Sequence, residues 1–117
     1  MLKQENRIAL NKDFDRAFKA GQSFYSKIIG IKVVNNETTK NRVGILINTK
    51  VSKKAVVRNK IRRQIREIIK QKLDILEKGK DLVIIVFPLI LDKNFQEIKI
   101  AVESGLKQLK VLKIVKK

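Results

Sequence analysis

Histidine, cysteine and tryptophan are absent from this chain, and there is one proline. Without cysteine there are no disulfides and no thiolate metal sites. Without histidine there is no Ser-His dyad, no imidazole base and no His-ligated zinc. Acids are scarce too: 11 Asp plus Glu stand against 28 Lys plus Arg, a formal charge of +17 over 117 residues. An excess of one sign on that scale points to a polyanionic partner, nucleic acid first. Long apolar runs are missing. The longest, from Leu82 to Leu91 and broken only by Pro88, is too short to span a bilayer, and the charged N-terminus has no stretch of signal-peptide length. The expectation is a soluble cytoplasmic protein with no membrane partner.

What is present suits one folded unit. Hydrophobic residues make up 44%, too many for a disordered tail, and the length suffices to bury a core. We therefore expect a single domain over 1–117, suited by its charge to nucleic acid, with a Lys-rich end at 111–117. Asn11 is read as an N-cap for a helix over 12–20, with Leu10, Phe14, Ala17 and Phe18 on one side and Gly21 as the stop. Residues 24–34 and 43–49 read as two strands forming a hairpin across a polar turn at 35–41. A basic loop follows at 50–54, in which Ser52 is the expected cap for a long helix over 55–77. A compact apolar strand at 81–87 ends at Pro88. Asp92 or Asn94 caps a last helix reaching about Lys110. The order α-β-β-α-β-α predicts an α/β fold of the α+β two-layer sandwich kind, an open mixed sheet with helices packed on it. Phe24, Tyr25 and Phe95 are expected in the core or on the sheet face.

The long helix carries most of the information. At helical spacing, Val57, Ile61, Ile65, Ile68 and Ile69 gather on one arc, which predicts the buried face. Arg58, Asn59, Arg62, Arg63, Arg66 and Lys70 gather on the neighbouring arc. From Lys50 to Lys72 there are ten Lys or Arg and one acid, Glu67. Like charges at i,i+4, as in Arg58, Arg62 and Arg66, repel by a few tenths of a kcal/mol per pair. Selection for stability alone would interleave acids. A phosphate backbone supplies a reason for their absence, since a guanidinium fork can hold two phosphate oxygens and Lys adds point charge.

Arg58-Asn59-Lys60-Ile61-Arg62-Arg63-Gln64-Ile65-Arg66, preceded by Lys53-Lys54-Ala55-Val56-Val57, resembles the signature of the bacterial ribonuclease P protein component. The resemblance extends to Asn6-Arg7-Ile8, to the helix from Lys12 to Gly21, to Arg42-Val43-Gly44-Ile45 and to Asp81-Leu82-Val83-Ile84-Ile85. It covers most of the chain in order. It implies a fold shared with a ribosomal-protein domain and a translation-factor domain, with a left-handed β-α-β crossover. Pattern reading alone would give a right-handed one.

The resemblance also implies a function. In the family a large RNA is the catalyst, using Mg2+ to hydrolyse a phosphodiester in precursor tRNA and release the 5′ leader. The protein binds ribonuclease P RNA and the leader. Carried over by position, the contacts to the catalytic RNA fall on Lys53, Lys54, Arg58, Asn59, Lys60, Arg62, Arg63, Arg66 and Lys70. Asn59 either bonds RNA or orders its neighbours, and the sequence leaves both open. The leader or tRNA contacts fall on Arg7, Lys12, Phe14, Phe18 and Lys32. Some family members carry an aromatic at the place of Lys32, and many carry basic residues at Phe87-Pro88. Phe14 and Phe18 are equally readable as core anchors. The expected partners are ribonuclease P RNA, 1:1, and precursor tRNA, with no small-molecule ligand.

The residues agree for an independent reason. A self-sufficient metal nuclease needs clustered carboxylates. Asp13 and Asp15 diverge on a helix, the other acids are scattered, and no catalytic residue or protein metal site is evident. Two other readings compete. A stand-alone basic RNA-binding or ribosomal-type protein explains the charge but not the ordered motifs. A membrane-surface protein would use the basic helix, whose apolar side lacks Trp and Phe.

Overall fold

The computed structural model describes residues 6–8, 11–36 and 38–112; the side chains of 11–13 and 20 are outside that set, as are Leu10 and the Lys-rich end beyond 112. Helix α1 (Asn11–Ala20) leads into strands β1 (Gln22–Tyr25), β2 (Ile29–Asn35) and β3 (Arg42–Leu46). Helix α2 (Ala55–Lys72), strand β4 (Lys80–Val86) and helix α3 (Phe95–Gln108) follow. The four strands form one mixed sheet in the order β1-β2-β4-β3. β2 runs antiparallel to both β1 and β4, and β3 runs parallel to β4. Helix α2 is the crossover between those parallel neighbours.

Two strand expectations are corrected. The stretch 24–34 is two strands, not one. Ser26 reverses the chain: its Oγ accepts from the backbone N–H groups of Ile28 at 3.3 Å and Ile29 at 3.2 Å, and its own N–H donates to the Ile29 carbonyl at 2.8 Å. β1 therefore folds back on β2 with Tyr25 opposite Gly30. The second expectation, a hairpin of 24–34 with 43–49, fails because β4 lies between β2 and β3. Leu82, Val83 and Ile84 are all fully buried. A strand apolar on both faces belongs in the middle of a sheet, and that wins over sequence adjacency.

The main core lies on one side of the sheet. Ile29, Ile31 and Val33 of β2 and Leu82, Ile84 and Val86 of β4 pack against Ile61, Ile65, Ile68 and Ile69 of α2 and against Ile98, Val102 and Leu106 of α3. Sheet and paired helices make the two layers, and each buried Ile contributes about 1.5–3 kcal/mol. Val57 is only partly buried. The short helix α1 lies across the opposite face, where Ala17, Ile8 and Val83 are buried with Phe14, Val34, Leu46 and Ile85 around them.

Helix ends follow local chemistry. Asn94 caps α3: its side chain accepts from Glu97 N–H at 2.9 Å, and Glu97 Oε1 accepts from Asn94 N–H at 3.3 Å. α2 starts at Lys54 without a side-chain cap. Ser52, the expected cap, instead accepts from Lys54 N–H within the loop. α2 also ends earlier than the sequence suggested, with a tight helical turn at Leu73–Ile75.

Candidate nucleic-acid interface

The basic loop is pinned from inside. Val51 is buried, and its N–H donates to the Asn48 carbonyl at 3.1 Å. With that anchor in place, Lys50, Lys53 and Lys54 point outward, exposed. No acid occupies the first turn of α2, so three cations crowd its positive end, the reverse of the usual complement. Arg58 reaches back to hold the loop, Nη1 donating to the Ser52 carbonyl at 2.8 Å.

Burial of the Ile stripe fixes which side of α2 faces outward. Asn59, Arg62, Arg63, Arg66 and Glu67 line one groove of about 500 Å³. Asn59 Oδ1 accepts from Arg62 Nη1 at 3.0 Å. It therefore orders its neighbour in the free protein, one of the two roles open from sequence. A second cleft of about 360 Å³ is lined by Arg7, Ile8, Phe14, Val43, Gly44, Ile45 and Arg66, so Arg66 borders both. Burial lowers the Arg66 pKa, and the nearby charges of Arg7 and Arg62 lower it further. The guanidinium stays protonated, and an anion would relieve the crowding.

Not every expected residue joins this surface. Lys60 projects to the other flank of α2, beside Ile90, Leu91 and Lys93. Lys53, Lys54 and Lys70 are exposed but do not line the groove. The side chain of Lys12 lies outside the described residues. The leader set divides in two. Phe14 sits in the Arg7 cleft over Gly44, where a Cβ would clash with its ring, so only glycine seats it there. Phe18 is 41% exposed and meets Lys32, whose Nζ is 5.5 Å from the ring centroid.

Helix α1 is held over the sheet by an acid the sequence reading passed over. Asp81 is fully buried and bonds Arg16 of α1 at 2.8 Å as well as Arg42. Arg42 and Asp81 are directly opposite in the β3–β4 register. The available signal was an Arg and an Asp, each opening a short apolar strand. Among the described residues no three His, Cys, Asp or Glu side chains converge to hold a metal ion. No helix among them is long and apolar enough to cross a membrane.

The family model for ribonuclease P matches residues 2–110. The chain belongs to the ribonuclease P protein family. Ribonuclease P protein components from Pseudanabaena sp. and Clostridium botulinum are 34% and 36% identical to it. They cover 96% and 90% of this chain, and the matches span 97% and 95% of the relatives. A Staphylococcus aureus ribonuclease P protein structure superposes with a TM-score of 0.85 at 34% identity, covering 92% of this chain and 97% of that one. The Thermotoga maritima protein gives 0.73 at 28% identity, covering 95% and 98%. Superposition at these scores means the same path through the sheet, so the β3–α2–β4 crossover has the hand of those ribonuclease P structures.

Proposed function

We propose that the groove on α2 docks on the catalytic RNA of ribonuclease P, while the α1 side of the sheet receives the 5′ leader of precursor tRNA. Membership of the family makes the chain a protein subunit of a ribonucleoprotein endoribonuclease that processes tRNA 5′ ends. RNA is its partner and tRNA its substrate. In the finer reading, Lys53, Lys54, Arg58, Asn59, Arg62, Arg63, Arg66 and Lys70 meet the catalytic RNA, Lys60 meets it from the far flank, and the complex is 1:1. Arg7, Lys12, Phe14, Phe18 and Lys32 meet the leader. Mg2+ serves the RNA, and the whole chain acts as one RNA-binding domain in the cytoplasm.

One observation carries this reading: Asn59, Arg62, Arg63 and Arg66, with Glu67 beside them, share a groove on a helix whose Ile61, Ile65, Ile68 and Ile69 are buried in the core. The helix cannot turn away, so its charge density is presented as a rigid strip matched to a phosphate backbone. Cleavage of precursor tRNA at low magnesium is the test. The catalytic RNA should act slowly alone and faster with the chain added, and the chain alone should not cleave. A stand-alone RNA binder would bind the same RNA and leave the rate unchanged.

A further inference from the structure

The groove on α2 holds one residue that a phosphate-binding strip does not need. Glu67 lines it beside Asn59, Arg62, Arg63 and Arg66, and it is the one acid between Lys50 and Lys72. Helix stability does not account for it. Arg63 stands at i−4 and Lys70 at i+3, both within helical reach. Yet among the described residues the Glu67 carboxylate has no ion pair and no hydrogen bond. The order Arg63 then Glu67 is also the weaker one for a helical pair. Nor does the carboxylate neutralise Arg66, whose perturbing charges are the cations Arg7 and Arg62. Glu67 is exposed, so it meets whatever enters the groove.

What Glu67 can receive follows from the donors and acceptors around it. The three arginines are donors only. The Asn59 carbonyl oxygen is already engaged, accepting from Arg62 Nη1 at 3.0 Å. Glu67 is therefore the open side-chain acceptor of the groove. A phosphate oxygen brings it no hydrogen and repels it, and deoxyribose brings none either. The ribose 2′-hydroxyl is the donor on a nucleic-acid backbone, and the wide, shallow groove of an A-form helix presents it at the surface. It recurs at every nucleotide, as do the phosphates that suit the three arginines. No particular base then has to stand opposite Glu67.

We propose that Glu67 is the specificity-determining residue of this groove, its carboxylate accepting a hydrogen bond from a ribose 2′-hydroxyl of the bound RNA. The role rests on the docking of the groove on catalytic RNA argued above, and adds discrimination to it. Arg62, Arg63 and Arg66 attract any phosphate backbone, and a chain of charge +17 draws DNA as well as RNA. RNA satisfies Glu67. DNA leaves it unpaired among phosphates. A surface that only attracts tells the two apart poorly, and one group that repels the wrong partner supplies the difference.

The test uses the full chain and catalytic RNA carrying sparse, random 2′-deoxynucleotides. Bound and unbound RNA are separated, and the deoxy positions in each are mapped. The wild type should exclude RNA that is deoxy at particular positions. Glu67→Ala should lose at least one of these and keep the rest. At such a position a single 2′-deoxy substitution should weaken wild-type binding about ten-fold, the loss of one charge-assisted hydrogen bond, and leave Glu67→Ala unaffected. Binding to a DNA duplex should tighten a few-fold in both Glu67→Ala and Glu67→Gln, as repulsion from phosphate is relieved. The site is exposed and both replacements suit a helix; circular dichroism checks the fold, and should Glu67→Ala not fold, DNA binding by Glu67→Gln decides. Identical deoxy maps for wild type and Glu67→Ala overturn the proposal. So does DNA affinity that neither variant raises. A Glu67 effect reproduced by inosine in place of guanosine, and not by deoxyribose, overturns it too, since the donor is then a base amine. The Arg62→Ala, Arg66→Ala double variant separates the two levels. An unchanged salt slope there removes the docking itself, whereas a flattened slope with identical maps removes only the role of Glu67.

Discussion

Arg42 grips Asp81 with both ends of its guanidinium, Nε donating to Oδ1 at 2.8 Å and Nη2 to Oδ2 at 2.6 Å. Asn36 Nδ2 donates to Oδ1 at 2.8 Å and Arg16 Nη2 to Oδ2 at 2.8 Å. One carboxylate thus joins α1, the 36–41 loop, β3 and β4. Burial by itself raises its pKa. Hydrogen bonds from Arg42 and Asn36, the Arg42 charge and the Arg16 bond outweigh that, and the pKa is held below the usual carboxylate value.

Asp81→Asn should therefore cost about 2–4 kcal/mol. The value lies below that of a fully buried pair because both arginines reach solvent. The pH dependence has a fixed sign. Folded Asp81 binds its proton less readily than unfolded Asp81, so its contribution is complete above the unfolded pKa of about 3.9 and is lost as pH falls through the lower folded value. Urea melts across the acid range should show this loss in the wild type and a smaller one in Asp81→Asn.

The groove on α2 should reveal itself through salt. Replacing Arg62 and Arg66 together by Ala leaves the Ile stripe untouched, so far-ultraviolet circular dichroism should not change. The slope of log affinity for the catalytic RNA against log salt should flatten by roughly one unit per lost phosphate contact. An unchanged slope in a folded double variant would remove this face of α2 from the interface.

Asn59 offers a finer test. Its Oδ1 holds Arg62 in place before any RNA arrives. Asn59→Ala removes no charge, so the salt slope should stay the same while affinity falls a few-fold, the cost of ordering one long side chain on binding. A loss many times larger at constant slope would mean that Asn59 bonds the RNA itself.

Phe18 should discriminate substrates. Phe18→Leu keeps apolar bulk beside α1 and removes the ring face. Binding of leader-bearing tRNA should weaken about five- to ten-fold, with mature tRNA little affected. Equal losses for the two would reduce Phe18 to an anchor of its helix.

Much of this was legible in the sequence, for identifiable reasons. The Ile spacing of α2 is long and regular, and the same residues lie in the core. The basic arc beside it needed only the helical period, although Lys60 shows that adjacency in the chain does not place a residue in the same groove. The sheet order was not legible, because pairing of β4 between β2 and β3 depends on burial of both its faces. Tyr25 lies on a sheet face, one of the two expected places, but which face was not legible for a local reason. Reading 24–34 as one strand hid the Ser26 reversal, which returns β1 along β2 and puts Tyr25 on the α1 side of Gly30. The role of Asp81 was not legible because its partners, Arg16, Asn36 and Arg42, come from three other segments that meet it only after folding.

Among the described residues, helix α1 is held by a smaller apolar cluster than the other elements. Its contacts form the small cluster of Ile8, Ala17 and Val83 with a few half-buried neighbours, tied down by the Arg16 link to Asp81, while every other element shares the larger core across the sheet. Local opening is drawn from such weakly secured elements. The wall beside the proposed leader track can therefore breathe while the α2 strip and its core stay closed, and a wall that breathes accommodates strands of differing bulk without requiring one sequence.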